Sequence, residues 1–420
     1  LSHALTVLQD AGDTSKALTD ELGKAIQSGD IEAQRQLVGM IFDSPAVRLC
    51  TSISANMKIK PAKRQSLERC FDVASDLSFS APLPEIVPVF PKQKSFGKVR
   101  MIHDPRLLVR TAQQLVLQVM GKFLKPRPFQ YTQCGVPAAI AQVKKLMPAG
   151  YVHAAHLDIQ NCYLSFTPEK LVLELPLRED VVEHAVIGRH LKVRMSTETR
   201  YGKPSLKLPT SNFLHLARQG IPQGACCSPI IGMYIMACLP WHIHDGIVLV
   251  NFADDFLLLA MSAQQLEQAI GELHTAVTGL PGGHFKLKEI SSGPIAKGLE
   301  FLGHHLRLTG GKLVTRPSTS NLESIAEELA RLDDKLGKHH FPINEKPAPD
   351  GLLLLADMIS KLTGWASAFR ECDNMDRYLA SYMVSIDQWI ELLHVDMEQV
   401  KAAIDPSMAY VPSDYAFGHN

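Results

Sequence analysis

Apolar residues in the first 80 positions recur at intervals of three and four, with charged residues between them. This spacing predicts amphipathic helices. Its clearest positions are Leu18, Leu22, Ala25 and Ile26. A group of prolines then interrupts the pattern, which favours a linker or extended edge segments, because proline ends helices and cannot donate a hydrogen bond to a strand ladder. The group consists of Pro82, Pro84, Pro88 and Pro91.

From Pro91 to about residue 312, strand-like alternation and helix-like spacing follow one another, and the later pattern is helical again. Ser318 and Ser320 are both suitable caps for a helix over 322–336, and a further helical region follows over about 352–404.

The composition is that of an ordinary globular protein, with 43 Lys and Arg against 43 Asp and Glu, and 46% hydrophobic residues. Zero net charge excludes a chain that is basic throughout, as many histone-like nucleic-acid binders are, and also an acidic solvating tail. The longest uncharged stretch, 219–241, contains prolines that disfavour a membrane helix, and the first residues do not resemble a signal peptide. We therefore expect a cytoplasmic protein with no membrane partner.

Cysteine and histidine spacing does not predict a zinc site. The eight cysteines form no CxxC pair, and several lie in apolar runs, which favours buried thiols in a reducing compartment. Two histidine pairs have spacings that suit zinc, but no partnering cluster follows them in the sequence. The pairs are His242 with His244 and His304 with His305.

Positive charge is concentrated in two stretches of the neutral chain. Residues 92–127 carry nine basic side chains against Asp104, and residues 189–218 carry seven against Glu198. Such stretches favour a polyanion on one face, with solvated basic loops as the alternative.

Two adjacent carboxylates, Asp254 and Asp255, interrupt an apolar run over 247–260 that predicts two strands joined by a tight turn. Paired acids in such a place repel each other and lose hydration unless a cation binds there; the alternative is a turn exposed to water. Upstream, Asp158 closes a predicted strand and Thr167 is a predicted helix cap. An acid at that strand end, brought beside the pair, would complete an oxygen site for two Mg²⁺ ions.

A third segment, 218–231, contains Gly220 and Gly224 before Ser228 and Pro229, which are predicted to open a helix. Glycine lets the backbone approach a ligand, and a helix N-terminus favours phosphate. An ordinary loop leading into a buried helix is the alternative.

These three segments, in this order, resemble palm motifs A, B and C of reverse transcriptases. The matching strings are Asp158-Ile-x-x-Cys-Tyr163, Ile221-Pro-Gln-Gly-x-x-x-Ser-Pro229 and Phe252-Ala-Asp-Asp255. Residues 91–105 are similar to the fingers segment, 285–289 to motif D and 298–303 to the primer-grip motif E. Phe252 stands where the commonest family form has tyrosine, and it keeps the aromatic ring.

The resemblance implies an enzyme, an RNA-directed DNA polymerase, with a right-hand fold of the α+β class. The expected parts are an N-terminal helical extension over 1–84, fingers with the start of the palm over 85–157, a palm of antiparallel sheet and helices over 158–312 with an insertion over 170–218, a helical thumb over 313–404 and a tail over 405–420.

The resemblance also implies a metal site and its ligands. Asp158 and Asp254 would bridge two Mg²⁺ ions, for which Mn²⁺ is an expected substitute. The Ile159 carbonyl would be a further ligand, and Asp255 would be the third acid, close to the primer end. The cations would activate the primer 3′-hydroxyl and stabilise the leaving pyrophosphate.

The nucleotide contacts follow from the same resemblance. Tyr163 falls where the family places a steric gate, a ring beneath the sugar C2′ that excludes ribonucleotides by clash, whereas related RNA-dependent RNA polymerases generally carry an acid there. Gln223 and Gly224 would contact the incoming dNTP, and Arg100 the triphosphate. The accompanying lysine is Lys94 or Lys98.

Two further segments would serve the primer and the leaving group. Lys288 fits the motif D lysine that protonates pyrophosphate, with Lys286 as the alternative on the same face of an extended segment. The primer grip would contain Phe301, Leu302 and Gly303.

Elimination indicates the kind of reverse transcriptase. No ribonuclease H acid pattern of the retroviral type follows the thumb region, little chain remains for the additional parts of group II intron enzymes, and Leu313-Val-Thr-Arg316 stands near the place of the retron VTG string. We therefore expect a stand-alone enzyme of the bacterial defence-associated or abortive-infection groups.

Such an enzyme would copy a dedicated structured noncoding RNA into DNA in an antiphage system. Three alternatives stay open: untemplated or protein-primed synthesis, with Tyr410 or Tyr415 as the primer hydroxyl; a retron or group II intron-type enzyme; and an RNA-binding scaffold on an inactive palm.

Overall fold

A computed structural model gives the fold of the chain and describes residues 2–59, 61–93, 99–196, 211–242, 245–338 and 349–393. The helices are α1 Ser2–Ser28, α2 Ile31–Asp43, α3 Pro45–Met57, α4 Leu67–Asp76, α5 Leu107–Phe123, α6 Val136–Leu146, α7 Cys162–Ser165, α8 Pro168–Glu174, α9 Glu179–Val181, α10 Ser211–Ala217, α11 Ser228–Ala237, α12 Ala263–Thr278, α13 Thr319–Gly337, α14 Pro349–Ala368 and α15 Met375–Leu392. The strands are β1 Ile86–Gln93, β2 Val99–His103, β3 His153–Ile159, β4 Lys192–Met195, β5 Ile247–Phe252, β6 Asp255–Ala260, β7 Leu287–Pro294, β8 Leu299–Phe301, β9 His304–Thr309 and β10 Lys312–Pro317.

Strands and helices are both abundant, so the chain has the α+β fold that the sequence predicts. It forms two compact units, each assembled from separate stretches of sequence. The first unit contains 1–127, 159–241 and 274–287, and the second contains 128–158, 242–273 and 288–420. The division into extension, fingers, palm, thumb and tail stays a prediction.

The predicted N-terminal helices are present, and three of them begin at side-chain caps. Asp30, Ser44 and Ser66 each accept a hydrogen bond from a backbone amide in the first turn of α2, α3 and α4. These caps satisfy amides that have no partner within their helix. The helices bury an apolar core that includes Leu22, Val38, Ile41, Phe42, Val47 and Leu49.

Strand β1 carries two of the prolines, yet it lies between β2 and β4. Pro91 is paired with Met101 of the antiparallel strand β2, and Pro88 with Arg194 of the parallel strand β4. The Pro88 carbonyl accepts a hydrogen bond from the Asp104 amide at 2.9 Å. The interpretation as an edge segment was therefore wrong for Pro88 and Pro91, whereas Pro82 and Pro84 lie in irregular chain before β1, as a linker does. Proline lacks only the donor, and its carbonyl still binds the neighbouring chain.

The second unit is built on a sheet with the strand order β5-β6-β3-β7. Strand β6 is antiparallel to both β5 and β3, and its residues 256–260 are all buried. A strand that is buried on both faces is apolar throughout, which explains the continuous hydrophobic run in the sequence. The core around it includes Ile140, Val250, Leu257, Leu259 and Phe301.

Strands β8, β9 and β10 form a separate antiparallel sheet that precedes the last helices. The predicted helical region from residue 313 is wrong at its start, because 312–317 is paired with β9 and buries alternate residues, as a strand does. Ser318, one of the two predicted caps, accepts a hydrogen bond from the Asn321 amide at the start of α13. The predicted helix from about 352 ends at Ala368, and α15 begins after Asn374, whose φ is 60°.

No described helix is both long and apolar enough to cross a membrane. The eight cysteines are free thiols. Cys70, Cys162, Cys227 and Cys372 are buried as predicted, whereas Cys134 and Cys238 are exposed, so the expectation of uniformly buried thiols was wrong.

Gly220 ties the segment before α11 to the segment after β3. Its φ is 58°, and a Cβ atom built on it would lie 1.9 Å from the Tyr163 carbonyl oxygen. The Ile221 amide donates a hydrogen bond to the same oxygen at 3.0 Å. The two backbone segments can therefore meet only if residue 220 has no side chain.

We predict that Gly220→Ala lowers the free energy of unfolding by more than ~2 kcal/mol, since a left-handed alanine costs ~1–2 kcal/mol and the backbone clash adds to it. Gly232→Ala in α11 is the matched control, because a Cβ atom there meets nothing within 4 Å and alanine is the better helix former. Urea unfolding followed by circular dichroism compares the two. Equal stabilities would contradict this account of Gly220.

Candidate active site

The hairpin of β5 and β6 carries the adjacent acids at its two-residue turn, with Asp254 in the turn and Asp255 at the start of β6. Phe252 is paired with Asp255, which leaves Ala253 and Asp254 to make the turn. Ala253 has a φ of 53°, a left-handed conformation that costs a non-glycine residue ~1–2 kcal/mol. The predicted tight turn between two apolar strands is therefore present, and its backbone is strained.

Side chains on both sides hold this turn in place. The Ala253 amide donates a hydrogen bond to the Thr132 hydroxyl at 2.7 Å. The Asn251 side-chain amide donates to the carbonyls of Ala253 at 3.0 Å and of Asp255 at 3.1 Å. Asn251 and Thr132 are both buried, so water competes little for these bonds.

Asp158 lies at the end of β3, directly opposite Asp255 in the β3–β6 ladder. With Asp254 in the turn, the three carboxylates offer ligand atoms that lie within 4.8 Å of one another. All three residues are partly buried. Like charges directly opposite each other destabilise a strand pair, and partial burial strengthens the repulsion.

A hard divalent cation fits this group. All the donors are carboxylate oxygens, which Mg²⁺ and Mn²⁺ prefer, and a bound cation would offset the repulsion between the acids. In the part of the chain that the structure describes, these acids are the only group of three or more potential ligand side chains that are close enough to share a metal ion. His242, His304 and His305 join no such group, and His244 lies outside the described residues.

His156 is a neighbour of the acids that the sequence analysis did not identify. Its Nε2 atom lies 2.8 Å from Asp255 Oδ1. The ring also meets Phe301 edge-on, with centroids 5.5 Å apart. The sequence did contain a signal for His156. It lies two residues before Asp158, and residues i and i+2 of a strand lie on one face, so its side chain was expected on the same face as Asp158.

In the first unit, Arg100 and Gln223 line one small cavity together with His103 and Ile221. The side-chain oxygen of Gln223 is buried without a hydrogen-bond partner among the described residues. A buried polar atom without a partner is costly, so a ligand that donates to it would relieve the cost.

Gly224 and His103 connect the two backbone segments of this cavity. Gly224 is exposed with a φ of 98°, and a Cβ atom on it would lie 2.5 Å from the His103 carbonyl oxygen. The His103 amide donates to the Gln223 carbonyl at 2.7 Å. The loop that contains Gln223 therefore lies directly on strand β2.

The other predicted site residues occupy different elements. Tyr163 lies in the short helix α7 and is partly buried. Ile159 ends β3 and is buried, and Thr167 precedes α8 as predicted but makes no side-chain cap bond. Lys286 and Lys288 are both exposed, while the intervening Leu287 is buried, as expected of an extended segment. Lys94, Lys98, Tyr410 and Tyr415 lie outside the described residues.

The predicted primer-grip residues form the tip of the β8–β9 hairpin. Phe301 is fully buried, and Leu302 and Gly303 make the turn with φ values of 48° and 76°. The Gly303 carbonyl accepts a hydrogen bond from the Ser318 amide at 2.7 Å, which ties the tip to the start of α13.

His103 was also missed by the sequence analysis, since its partners lie more than a hundred positions away. The residue is 4% exposed, and its ring nitrogens face two carbonyl oxygens, with Nδ1 3.1 Å from Gln223 and Nε2 2.8 Å from Ala217. Burial lowers the pKa of His103, although the two carbonyls favour the protonated ring.

We predict that the chain loses stability as the pH falls below about 6.5, the ordinary pKa of histidine. Unfolded His103 then binds a proton that the folded ring takes up only at lower pH, so the unfolded state gains protons first. His103→Gln removes this contribution and flattens the dependence of the unfolding free energy on pH. A residual slope from His304, whose pKa burial also lowers, remains in both proteins. Urea unfolding between pH 7.5 and 5 measures the slopes, and identical slopes would refute the assignment to His103.

Comparison with known proteins finds one family whose model matches this chain. The model of the family "Reverse transcriptase (RNA-dependent DNA polymerase)" matches residues 90–306. Among solved structures, telomerase from Candida albicans in complex with the TWJ fragment of telomeric RNA is 12% identical, with a TM-score of 0.35, over 78% of this chain and 63% of that chain. Apo telomerase from Candida tropicalis is 12% identical, with a TM-score of 0.38, over 79% of this chain and 64% of that chain. The chain thus spans less than two thirds of these proteins, and no curated protein sequence matches it.

Proposed function

Because the chain belongs to the reverse transcriptase family, we propose that it is an RNA-directed DNA polymerase that adds dNTPs to a primer 3′-hydroxyl. The observation that supports this most directly is the group of three carboxylates, Asp158, Asp254 and Asp255, with ligand atoms within 4.8 Å of one another. The matched residues also include Arg100 and Gln223, which line one cavity.

Asp158 and Asp254 would bridge two divalent cations, Mg²⁺ by preference, with the Ile159 carbonyl as a further ligand and Asp255 as the third acid. Bound cations of this kind lower the pKa of a hydroxyl and stabilise charge on a leaving pyrophosphate. The chain's own contribution is to hold the oxygens together in advance. Strand pairing fixes Asp158 opposite Asp255, and the turn that Asn251 and Thr132 support fixes Asp254.

Arg100 and Gln223, which line the small cavity in the first unit, would contact the nucleotide. The Arg100 guanidinium suits a triphosphate, and Lys94 or Lys98 would accompany it. The unpartnered side-chain oxygen of Gln223 would accept a hydrogen bond from the nucleotide, and the exposed backbone at Gly224 allows close approach.

Three further residue assignments follow from the resemblance. Tyr163 would lie beneath the sugar and exclude a 2′-hydroxyl by its bulk. Lys288, exposed on β7, would donate a proton to pyrophosphate. The hairpin tip of Phe301, Leu302 and Gly303 would hold the primer end.

We further propose that the template is a dedicated structured noncoding RNA, bound by the two basic stretches, and that the DNA product serves antiphage defence. Zero net charge limits non-specific attraction to nucleic acid, which favours recognition of a particular RNA shape. Protein-primed or untemplated synthesis and a retron or group II intron role are the alternatives. Sequencing the RNA that copurifies with the protein and the DNA it makes separates them, because a templated product matches the RNA and carries no covalent protein.

We predict that Asp254→Asn lowers RNA-templated dNTP incorporation by at least ~1,000-fold, since loss of a bridging carboxylate removes ~4 kcal/mol or more of transition-state stabilisation. Asp245→Asn is the matched control, because Asp245 is exposed and lies just before the same hairpin. Primer extension with Mg²⁺ on an added RNA measures both. Retained synthesis in Asp254→Asn would sink the proposed mechanism.

We predict that Tyr163→Ala lowers the discrimination against ribonucleotides by at least ~10-fold, because the clash with the 2′-hydroxyl disappears. Tyr163→Phe keeps the ring and should keep the discrimination. The ratio of kcat/KM for dGTP to that for GTP, measured on one template, reports the effect. An unchanged ratio in the alanine variant would exclude Tyr163 as the gate.

A further inference from the structure

We infer that His156 is a positioning residue that orients the Asp255 carboxylate and joins it to the β8–β9 hairpin. The inference rests on the proposed function, because it assigns a role in the same carboxylate group. His156 lies on β3, two residues before Asp158, and its ring contacts both Asp255 and Phe301.

Register explains why His156 and Asp255 meet. In the β3–β6 ladder His156 is paired with Leu257, and Asp158 is paired with Asp255. His156 is therefore the diagonal neighbour of Asp255 on the face that also carries Asp158. Diagonal side chains on one face lie within reach of long or aromatic residues.

The chemistry of the contact determines which ring nitrogen carries a proton. An ionised carboxylate only accepts hydrogen bonds, so Nε2 must donate to Asp255 Oδ1, 2.8 Å away. The other nitrogen, Nδ1, is buried and has no hydrogen-bond partner among the described residues. Turning the ring over would exchange Nε2 with Cε1, and the carboxylate would then lose its hydrogen-bond donor, so one ring orientation is favoured.

Phe301 packs against the ring of His156. Its side chain is fully buried and meets His156 edge-on, at an angle of 81° between the ring planes. Phe301 ends β8, and the next turn is tied to α13 through Gly303 and Ser318. The position of the His156 ring is thus set both by packing against Phe301 and by the hydrogen bond to Asp255.

His156 provides a hydrogen-bond donor that orients the Asp255 carboxylate, which the neighbouring carboxylates cannot do because they only accept hydrogen bonds. Asp255 faces Asp158 directly, and repulsion would rotate its carboxylate away. The Nε2–H donor holds Oδ1 and fixes the plane of the carboxylate. Groups that orient a metal-binding carboxylate in this way typically affect metal affinity or activity by about 10- to 100-fold when removed.

The test compares His156→Ala and His156→Gln with the unmodified chain. Glutamine keeps an N–H donor near the position of Nε2, whereas alanine removes it. His153→Ala is the control, because His153 lies on the same strand and on the opposite face. Mn²⁺ affinity, measured by electron paramagnetic resonance titration without substrate, is the readout that does not depend on activity. Primer extension then gives kcat, KM for dNTP and the Mg²⁺ concentration for half-maximal rate.

We expect His156→Ala to weaken Mn²⁺ binding by about 10-fold, to raise the Mg²⁺ requirement by a similar factor and to lower kcat with little change in KM for dNTP. His156→Gln should recover most of each loss. Wild-type Mn²⁺ affinity in His156→Ala, or a glutamine variant as weak as the alanine variant at equal thermal stability, would overturn the inference. Failure of the unmodified chain to incorporate dNTPs would instead refute the proposed function, and the Mn²⁺ titration would still test His156.

Discussion

Repulsion between carboxylates is the constraint around which the second unit is organised. Asp158 and Asp255 face each other across the β3–β6 ladder, and Asp254 lies in the adjoining turn. Like charges directly opposite each other oppose strand pairing, and their partial burial removes hydration that would otherwise weaken the repulsion. The pairing of these strands must therefore be stabilised elsewhere, which leaves the carboxylate oxygens assembled for a cation.

The stabilisation comes from apolar packing behind the acids. Residues 256–260 of β6 are buried, and Leu257 and Leu259 pack in a core that includes Val250 of β5 and Ile140 of α6. Two hydrogen bonds hold the left-handed Ala253 in the turn. The Asn251 side chain donates to the Ala253 carbonyl, and the Ala253 amide donates to the Thr132 hydroxyl. The strained Ala253 and the three acids are thus supported by buried apolar strands, and backbone strain of this kind is found mainly at functional sites.

Local sequence patterns predicted those strands and turns whose formation depends on residues close together in the chain. The apolar run over 247–260 predicted the hairpin, and the strand ending near Asp158 followed from the same kind of reasoning. Residues 312–317 form a strand that buries alternate residues, but the apolar Leu313 and Val314 are adjacent, so the sequence shows no clear alternation and the helical thumb was predicted to start at 313. The central place of β1 was not predictable from its prolines, because β4, its parallel partner, lies about a hundred positions later.

The sequence also could not predict contacts between side chains and partners that lie far apart in the chain. His156 meets Asp255, His103 meets the Gln223 carbonyl, and Thr132 meets the Ala253 amide, each across roughly a hundred positions or more. The resemblance to reverse transcriptases supplied roles for the acids but none for these supporting residues. Their contributions follow from register and burial, which only the folded chain reveals.

The central claim is that Asp158, Asp254 and Asp255 together bind divalent cations, and anomalous scattering from crystals grown with Mn²⁺ tests it most directly. The account predicts an anomalous peak within bonding distance of the Asp158 and Asp254 carboxylates, and its loss in crystals of Asp254→Asn. A map without a peak near these three acids, from crystals whose protein still extends a primer in Mn²⁺, would contradict the account.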